Sequence, residues 1–538
     1  MLPWGSVTIS INYHFNYTTM SDFGNFADIH CHTLLKYAAN NSPDLWDPIG
    51  MPQGWLALVL GIFKKLPPRN TTADFNTLAR GEVQVVCVAL TPPEQRTLKF
   101  KGNIPQGALN KFSSYIGRLP LTKLKEFQSE AYDHHKELLA EKRLYEGGQN
   151  ITGKVKLPSI GKATCKYKIL KNGAELENIL AANRASNNAR TIAVVFTIES
   201  AHALGTGHIK FNGQPNKFNV SEDILLKRVD SMKGLGSAEA AAWNYSPLWM
   251  TMTHVFFNSV CGFAQAIEPG FRPLLDYAEP FAAGTDVTTH PPAINKGLTP
   301  LGKKIIERLL GIDAVSTARA SKGRRILVDI KHMSTLSRKE YYAMLDSHHA
   351  AHPDDIIPVL MSHAAVNGKP LLNENNYNPG DTDEESENSD MFSPRSINLY
   401  DDEIVRIHKT KGLIGLIFYD PILGGHKRKK NNIFWGREKW AALFADQIEH
   451  IVKTVYNTSA ADKKEIWNRI GLGSDFDGQI NPADEFASAE RYPEFRMEMR
   501  TFLNEARFDP YRSKGEVEGL VNKICFSNVI EFIKRNLK

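Results

Sequence analysis

Eight short apolar segments recur along the chain, at residues 25–30, 83–90, 192–197, 248–253, 326–331, 357–362, 413–419 and 469–474. Several are nearly continuous runs of Val, Ile and Leu rather than alternations of apolar and polar residues. An alternating strand buries one face, whereas a continuous run suits a strand buried on both. Between some of these segments the apolar period becomes helical. Thr299-Pro300 opens one helix, with Thr as N-cap and Pro at the first helical position. Ile305, Ile306, Leu309 and Leu310 form its apolar face, and Gly311 ends it. Residues 437–456 form another, with Trp440, Phe444, Ile448, Ile451 and Val455 on one stripe. Strands alternating with helices in this way predict a (β/α)8 TIM barrel. An open doubly wound sheet would carry a glycine-rich phosphate loop after its first strand, and the sequence has none there.

Two polar stretches interrupt the pattern. Residues 95–185 are Lys-rich and too long for an ordinary connection. They read as an inserted subdomain with helices and a hairpin of its own. Residues 366–394 include Asp381, Asp383, Glu384, Glu385 and Glu387 and read as an acidic loop insertion. The reading is therefore one barrel domain over 20–538 carrying both insertions, with an N-terminal extension at 1–19.

The polar residues at the ends of the apolar segments are the candidate chemistry. His30 and His32 end the first. In an extended run, residues two apart point the same way, so both can grip one metal ion. Glu199 follows the third segment, His254 the fourth, His332 the fifth, His363 the sixth and Asp475 the eighth. In a barrel of this type the active site lies at the C-terminal ends of the strands, so these side chains would converge on one rim. His, Glu and Asp are the ligand types of a hydrolytic zinc site. Asp475 and Asp477 could equally be turn or cap residues, and His134-His135 and His348-His349 read as residues of exposed helices.

Composition adds limits. At 42% hydrophobic and 23% charged, the chain is ordinary globular protein. A net charge of +6 over 538 residues is mild, and the one basic cluster, 426–430, reads as a solvated loop, so no nucleic-acid surface is expected. The five cysteines are scattered and odd in number, which fits a reducing compartment. No run of about 18 apolar residues suits a transmembrane helix, and the N-terminus lacks the basic start and apolar core of a signal peptide. These features predict a cytoplasmic protein.

Several motifs carry a family resemblance. They are Thr197-Ile198-Glu199-Ser200-Ala201-His202-Ala203-Leu204, Met252-Thr253-His254 and Gly297-Leu298-Thr299-Pro300-Leu301-Gly302. They continue with Val328-Asp329-Ile330-Lys331-His332-Met333-Ser334, Val359-Leu360-Met361-Ser362-His363, Gly473-Ser474-Asp475-Phe476-Asp477-Gly478 and Arg491-Tyr492-Pro493-Glu494. From about residue 25 to the C-terminus the chain resembles the membrane dipeptidase (renal dipeptidase) family of zinc metallopeptidases, within the amidohydrolase-like metal barrels. The resemblance implies a binuclear site with two Zn²⁺, although Mn²⁺, Co²⁺ or Fe²⁺ would also suit the ligands. His30 and His32 would hold one metal, His332 and His363 the other, and Glu199 would bridge them. Asp475 would orient and deprotonate a metal-bridging water, whose hydroxide attacks the peptide bond of a dipeptide. His254 would contact substrate or the developing oxyanion, and Arg395 would hold the substrate carboxylate. A homodimer would be in keeping with the family.

The chain also departs from the pattern. The family places Asp where this chain has His32, which makes the site one unit more positive. Glycines usually follow the strand-end Glu, whereas this chain has Ser200-Ala201. The leading expectation is a cytoplasmic zinc metallodipeptidase acting on dipeptides. The alternatives are a metal-dependent hydrolase of another small amide or lactone, and a non-catalytic barrel acting as a binding module.

Overall fold

The computed structural model describes residues 25–34, 45–46, 71–94, 132–206, 220–237, 240–266, 296–312, 322–370, 391–425, 437–478, 482–513 and 515–538, together with 126, 129 and 480. The expected extension at 1–19 and the basic run at 426–430 lie outside them. So do 95–125 of the first insertion and 371–390 of the second.

Ten strands are described: β1 (Phe26–Cys31), β2 (Val83–Leu90), β3 (Gly153–Leu157), β4 (Gly161–Ile169), β5 (Ala189–Ile198), β6 (Trp249–Thr251), β7 (Leu327–Asp329), β8 (Leu360–Ala364), β9 (Leu413–Leu416) and β10 (Ile470–Leu472). Eight of them close a parallel ring in the order β1-β2-β5-β6-β7-β8-β9-β10, with Asp28 of β1 in register with Leu472 of β10. Every residue of β1, β2, β6, β7, β8, β9 and β10 is buried. This is why their sequences read as unbroken apolar runs. Each of the eight expected segments overlaps one strand of the ring. The segment expected at 357–362 is shifted toward its C-terminus, so that His363 lies inside β8 rather than beyond it.

β3 and β4 form an antiparallel hairpin, and β4 pairs in parallel with the first half of β5, from Ala189 to Val194. The hairpin alternates buried and exposed residues, because one face packs on the protein and the other meets water.

Among the described helices are α1 (Phe75–Arg80), α2 (His134–Gly148), α3 (Gly173–Ala185), α4 (Glu222–Met232), α5 (Pro300–Leu310), α6 (Thr335–Ala351), α7 (Asp401–Lys409), α8 (Arg437–Tyr456), α9 (Tyr492–Leu503) and α10 (Asn528–Asn536). α5 has the ends its sequence predicts. The Thr299 hydroxyl accepts from the Gly302 N–H at 3.0 Å, and Gly311 takes the left-handed conformation at φ 68°. α8 buries Trp440, Phe444, Ile448, Ile451 and Val455 against the barrel. Among the described residues no helix is long and apolar enough to cross a membrane. All five cysteines are free and buried.

Candidate metal centre

β1 carries His30, with His32 just past its end, and the two-residue spacing turns both inward. The remaining groups come from neighbouring strands of the ring. Glu199 follows β5, His332 lies beyond β7, His363 is in β8, and Asp475 lies beyond β10. All six side chains are nearly or fully buried and meet at the C-terminal rim. Glu199 is at their centre. Its Oε1 lies 3.5 Å from His30 Nε2, 3.4 Å from His332 Nε2 and 3.8 Å from His363 Nε2. Its Oε2 lies 3.2 Å from His32 Nε2. Asp475 Oδ1 stands 3.2 Å from His32 Nε2 and 3.6 Å from His30 Nε2. His254, just after β6, is a little further out, with Nε2 3.9 Å from Glu199 Oε1.

The backbone at these strand ends is unusual. Ser200, His332, Asp475 and Asp477 have φ of 74°, 65°, 60° and 63°, which non-glycine residues seldom adopt and which clusters at functional sites. Ser200 thus takes a positive φ where the motif resemblance leads one to expect glycine. Its hydroxyl accepts from Asn258 Nδ2 at 3.3 Å and from the His202 N–H at 3.4 Å. Gly478 is required for a steric reason. A Cβ there would fall 2.0 Å from Asp475 Oδ1 and 2.8 Å from His32 Cδ2.

Two buried carboxylates beneath the cluster lock it to the strands. Asp28 accepts from the His30 N–H at 3.0 Å, the Ser474 hydroxyl at 2.6 Å and the Tyr492 hydroxyl at 2.6 Å. Asp329 accepts from the hydroxyls of Thr251 at 2.8 Å and Ser362 at 2.6 Å. With its proton given to Asp329, the Ser362 oxygen accepts from His363 Nδ1 at 2.8 Å. That fixes the His363 tautomer and leaves the Nε2 lone pair facing the cluster. The sequence assigns Asp28 and Asp329 no role, although a charged residue inside an apolar strand must find partners. Lys331 likewise carries no signal in the sequence. Its Nζ is buried without a hydrogen-bond partner, and burial pulls it down to about 8 against the attraction of Asp475, Asp329 and Glu199. Glu94 and Glu141 lie near the site with no sequence signal, because what they face is distant in the chain. Glu94 accepts from His254 Nδ1 at 2.9 Å. Glu141 of α2 accepts from the Thr91 N–H at 2.9 Å, and burial raises it to about 8.

The other sequence candidates are placed as follows. Asp477 accepts from the N–H groups of Thr72 at 3.0 Å and Ala73 at 2.9 Å, so of the two aspartates it is the turn residue. Arg395 is buried in the turn before α7, its carbonyl accepting from the Asn398 N–H at 3.0 Å. His134 and His135 correct an expectation. Rather than being exposed, His134 is buried against Tyr132 and His202, and His135 Nδ1 meets the Ala203 carbonyl at 3.2 Å. His348 and His349 are half-buried at the end of α6.

The residues fit a cation. Both ring nitrogens of His30 and of His32, and Nδ1 of His332, are buried without a well-aligned hydrogen bond. His332 Nε2 and His363 Nε2 face each other at 3.1 Å. Burial and neighbouring positive groups hold His332 down to about 3 and His363 well below its ordinary value, so both rings are neutral donors of electron pairs. Burial pushes the Glu199 carboxyl up, but His254 and His32 outweigh it and hold Glu199 well below the usual range. Burial likewise disfavours His32 and His254 as cations, yet Glu199, with Asp475 or Glu94, lifts them to about 10 and about 9. His30, His32 and Glu199 form one compact trio of ligand atoms, and Glu199, His332 and His363 form a second. The shared Glu199 directs one oxygen to His32 and the other to His30, His332 and His363.

No protein-family profile and no curated protein matches the chain. Solved structures do. A crystal structure described as dipeptidase AC, a metallopeptidase of family M19, aligns over 96% of this chain and 99% of its own, with a TM-score of 0.50 and 13% identity. A metallopeptidase from Rhodobacter sphaeroides, solved with a phosphinate mimic of the dipeptide L-Ala-D-Ala, aligns over 95% and 99%, with a TM-score of 0.48 and 13% identity. The likeness is one of fold: the chain shares its barrel with dipeptidase AC.

Proposed function

We propose that this protein is a metal-dependent hydrolase that cleaves the peptide bond of dipeptides, with two divalent ions, zinc by preference, at the barrel rim. The observation that carries the reading is the meeting of His30, His32, Glu199, His332, His363 and Asp475 in one buried cluster. His30 and His32 would hold one ion, His332 and His363 the other, with a Glu199 oxygen on each. Held there, the ions would acidify a water molecule and polarise the scissile carbonyl.

The chain's own groups supply the rest. Asp475 Oδ1 faces the cluster beside His32 and His30. It takes a proton from the attacking water and passes it to the amine as the C–N bond breaks. His254 presents Nε2 on the more open side, where it contacts the substrate. Arg395 is the proposed anchor of the substrate carboxylate, for which its planar fork is suited. His32 in place of an aspartate leaves the pocket more positive, which favours anionic groups on the substrate.

The test is amino-acid release from a panel of L,L- and L,D-dipeptides by metal-loaded protein, against a metal-stripped control. Release that depends on metal, with KM raised in Arg395→Ala, is the expected outcome. Metal-bound protein that releases nothing from any dipeptide contradicts the dipeptidase reading and turns attention to other small amides and lactones. Metal-free protein with no hydrolytic activity of any kind would point to a binding module.

A further inference from the structure

β2 ends at Leu90, and Glu94 follows four residues later, buried against the rim. Its Oε1 accepts from His254 Nδ1 at 2.9 Å and from the Val255 N–H at 3.3 Å. With Nδ1–H committed to Glu94, His254 must turn Nε2 toward the cluster, where it lies 3.9 Å from Glu199 Oε1. The ring also packs edge-on against His332, centroids 4.5 Å apart. Among the residues gathered there His254 is the open one. Its side chain is 23% exposed, whereas those of His30, His32, Glu199, His332, His363 and Asp475 are at 10% or less.

The segment that carries Glu94 is itself held. The acceptor at Pro92 is a carbonyl, so His202 Nε2 carries the hydrogen and donates to it at 2.7 Å. Its Nδ1 stands 3.9 Å from Glu94. One residue earlier, the Thr91 N–H donates to Glu141 of α2 at 2.9 Å. Contacts from two elements therefore fix the approach of the Glu94 carboxylate.

We propose that Glu94 is the positioning residue of the site, fixing the rotation and the Nδ1–H tautomer of His254 so that Nε2 faces the reacting group of the substrate. A carboxylate behind an imidazole does this in metal and acyl-transfer sites. Here it comes from a strand end that supplies no member of the metal cluster. The inference rests on the functional reading above, in which His254 meets the substrate.

Glu94→Ala and Glu94→Asp, each also combined with His254→Ala, test it in full-length, metal-loaded protein. Glu94→Ala is expected to lower kcat/KM on dipeptides about 10-fold or more, mostly through kcat, with metal content unchanged. Glu94→Asp should recover part of the loss. In the His254→Ala background the Glu94 substitution should have no further effect. An equal loss in both backgrounds overturns the proposal.

If the wild-type protein cleaves no dipeptide, the functional reading fails, but the positioning claim still has its own readout. In ¹⁵N spectra of histidine-labelled protein at a pH high enough to leave the ring neutral, with His254→Ala identifying the resonance, Nδ1 of His254 should carry the single proton in the wild type. In Glu94→Ala the proton should move toward Nε2. A His254 signal unchanged by Glu94→Ala overturns the proposal.

Discussion

Two residues show how tightly the centre is built. A Cβ on Gly478 would overlap Asp475 and press on His32. Gly478→Ala is therefore expected to displace both while the barrel stays folded. A shift of about 1 Å in a reacting group can cost about 100-fold in rate, and a loss of that order should appear in kcat. Wild-type kinetics in this variant would contradict the packing described. His32 gives a pH signature. In the metal-free protein Glu199 and Asp475 raise it from 6.5 to about 10 despite burial. A raised pKa stabilises the folded chain fully below the unfolded value, so this contribution fades as pH climbs from about 6.5 toward 10. A cation must displace the proton, so uptake near pH 7 should release about one proton that His32→Asn does not release. Calorimetry in buffers of different ionisation enthalpy measures this, and a buffer-independent heat would contradict it. At this scale the sequence exposed the ligands because His and Glu stand out at the ends of apolar runs. It hid Glu94, whose partner His254 is far along the chain. It hid the roles of Asp28 and Asp329 because a carboxylate inside a strand has meaning only through its neighbours.

At the scale of elements, the strands were legible and their limits less so. Burial on both faces leaves one signal, an apolar run, which marks that a strand exists but not where its pairing stops. The shift of β8 to Leu360–Ala364 is an instance, and it brings His363 within the ladder. The joint between the first and last barrel strands depends on Asp28, which binds Ser474 and Tyr492 beyond β10 and the N–H of His30 in β1. An amide at position 28 must offer an N–H where a hydroxyl or N–H now donates. Asp28→Asn is therefore expected to cost about 1–3 kcal/mol and to weaken metal retention, because β1 carries His30 and leads directly to His32. Chemical denaturation with metal analysis checks both. Unchanged stability would mean that other contacts carry the joint.

At the scale of the whole molecule, the described strands form a closed barrel with a hairpin added to the outer edge of β5. Closure was foreseeable from eight buried runs, since a parallel sheet buried on both faces leaves few alternatives. The joining of β4 to that sheet was not, because an alternating hairpin can pack on many surfaces. A centre assembled from β1, β5, β7, β8 and the segment after β10 ties the ring across its circumference, so bound metal should stabilise the fold as a whole. At about 1,000 times Kd a ligand adds about 4 kcal/mol. Metal-stripped protein should therefore melt several degrees lower and recover on reloading, whereas identical melting curves would contradict a centre shared among these strands.

The most direct measurement is anomalous diffraction from crystals grown with zinc and with manganese. The expected result is two anomalous peaks at the barrel rim, one beside His30 and His32 and one beside His332 and His363, with Glu199 contacting both. A rim without anomalous signal in protein that binds metal elsewhere, or a single peak that leaves one histidine pair unligated, would contradict the binuclear centre.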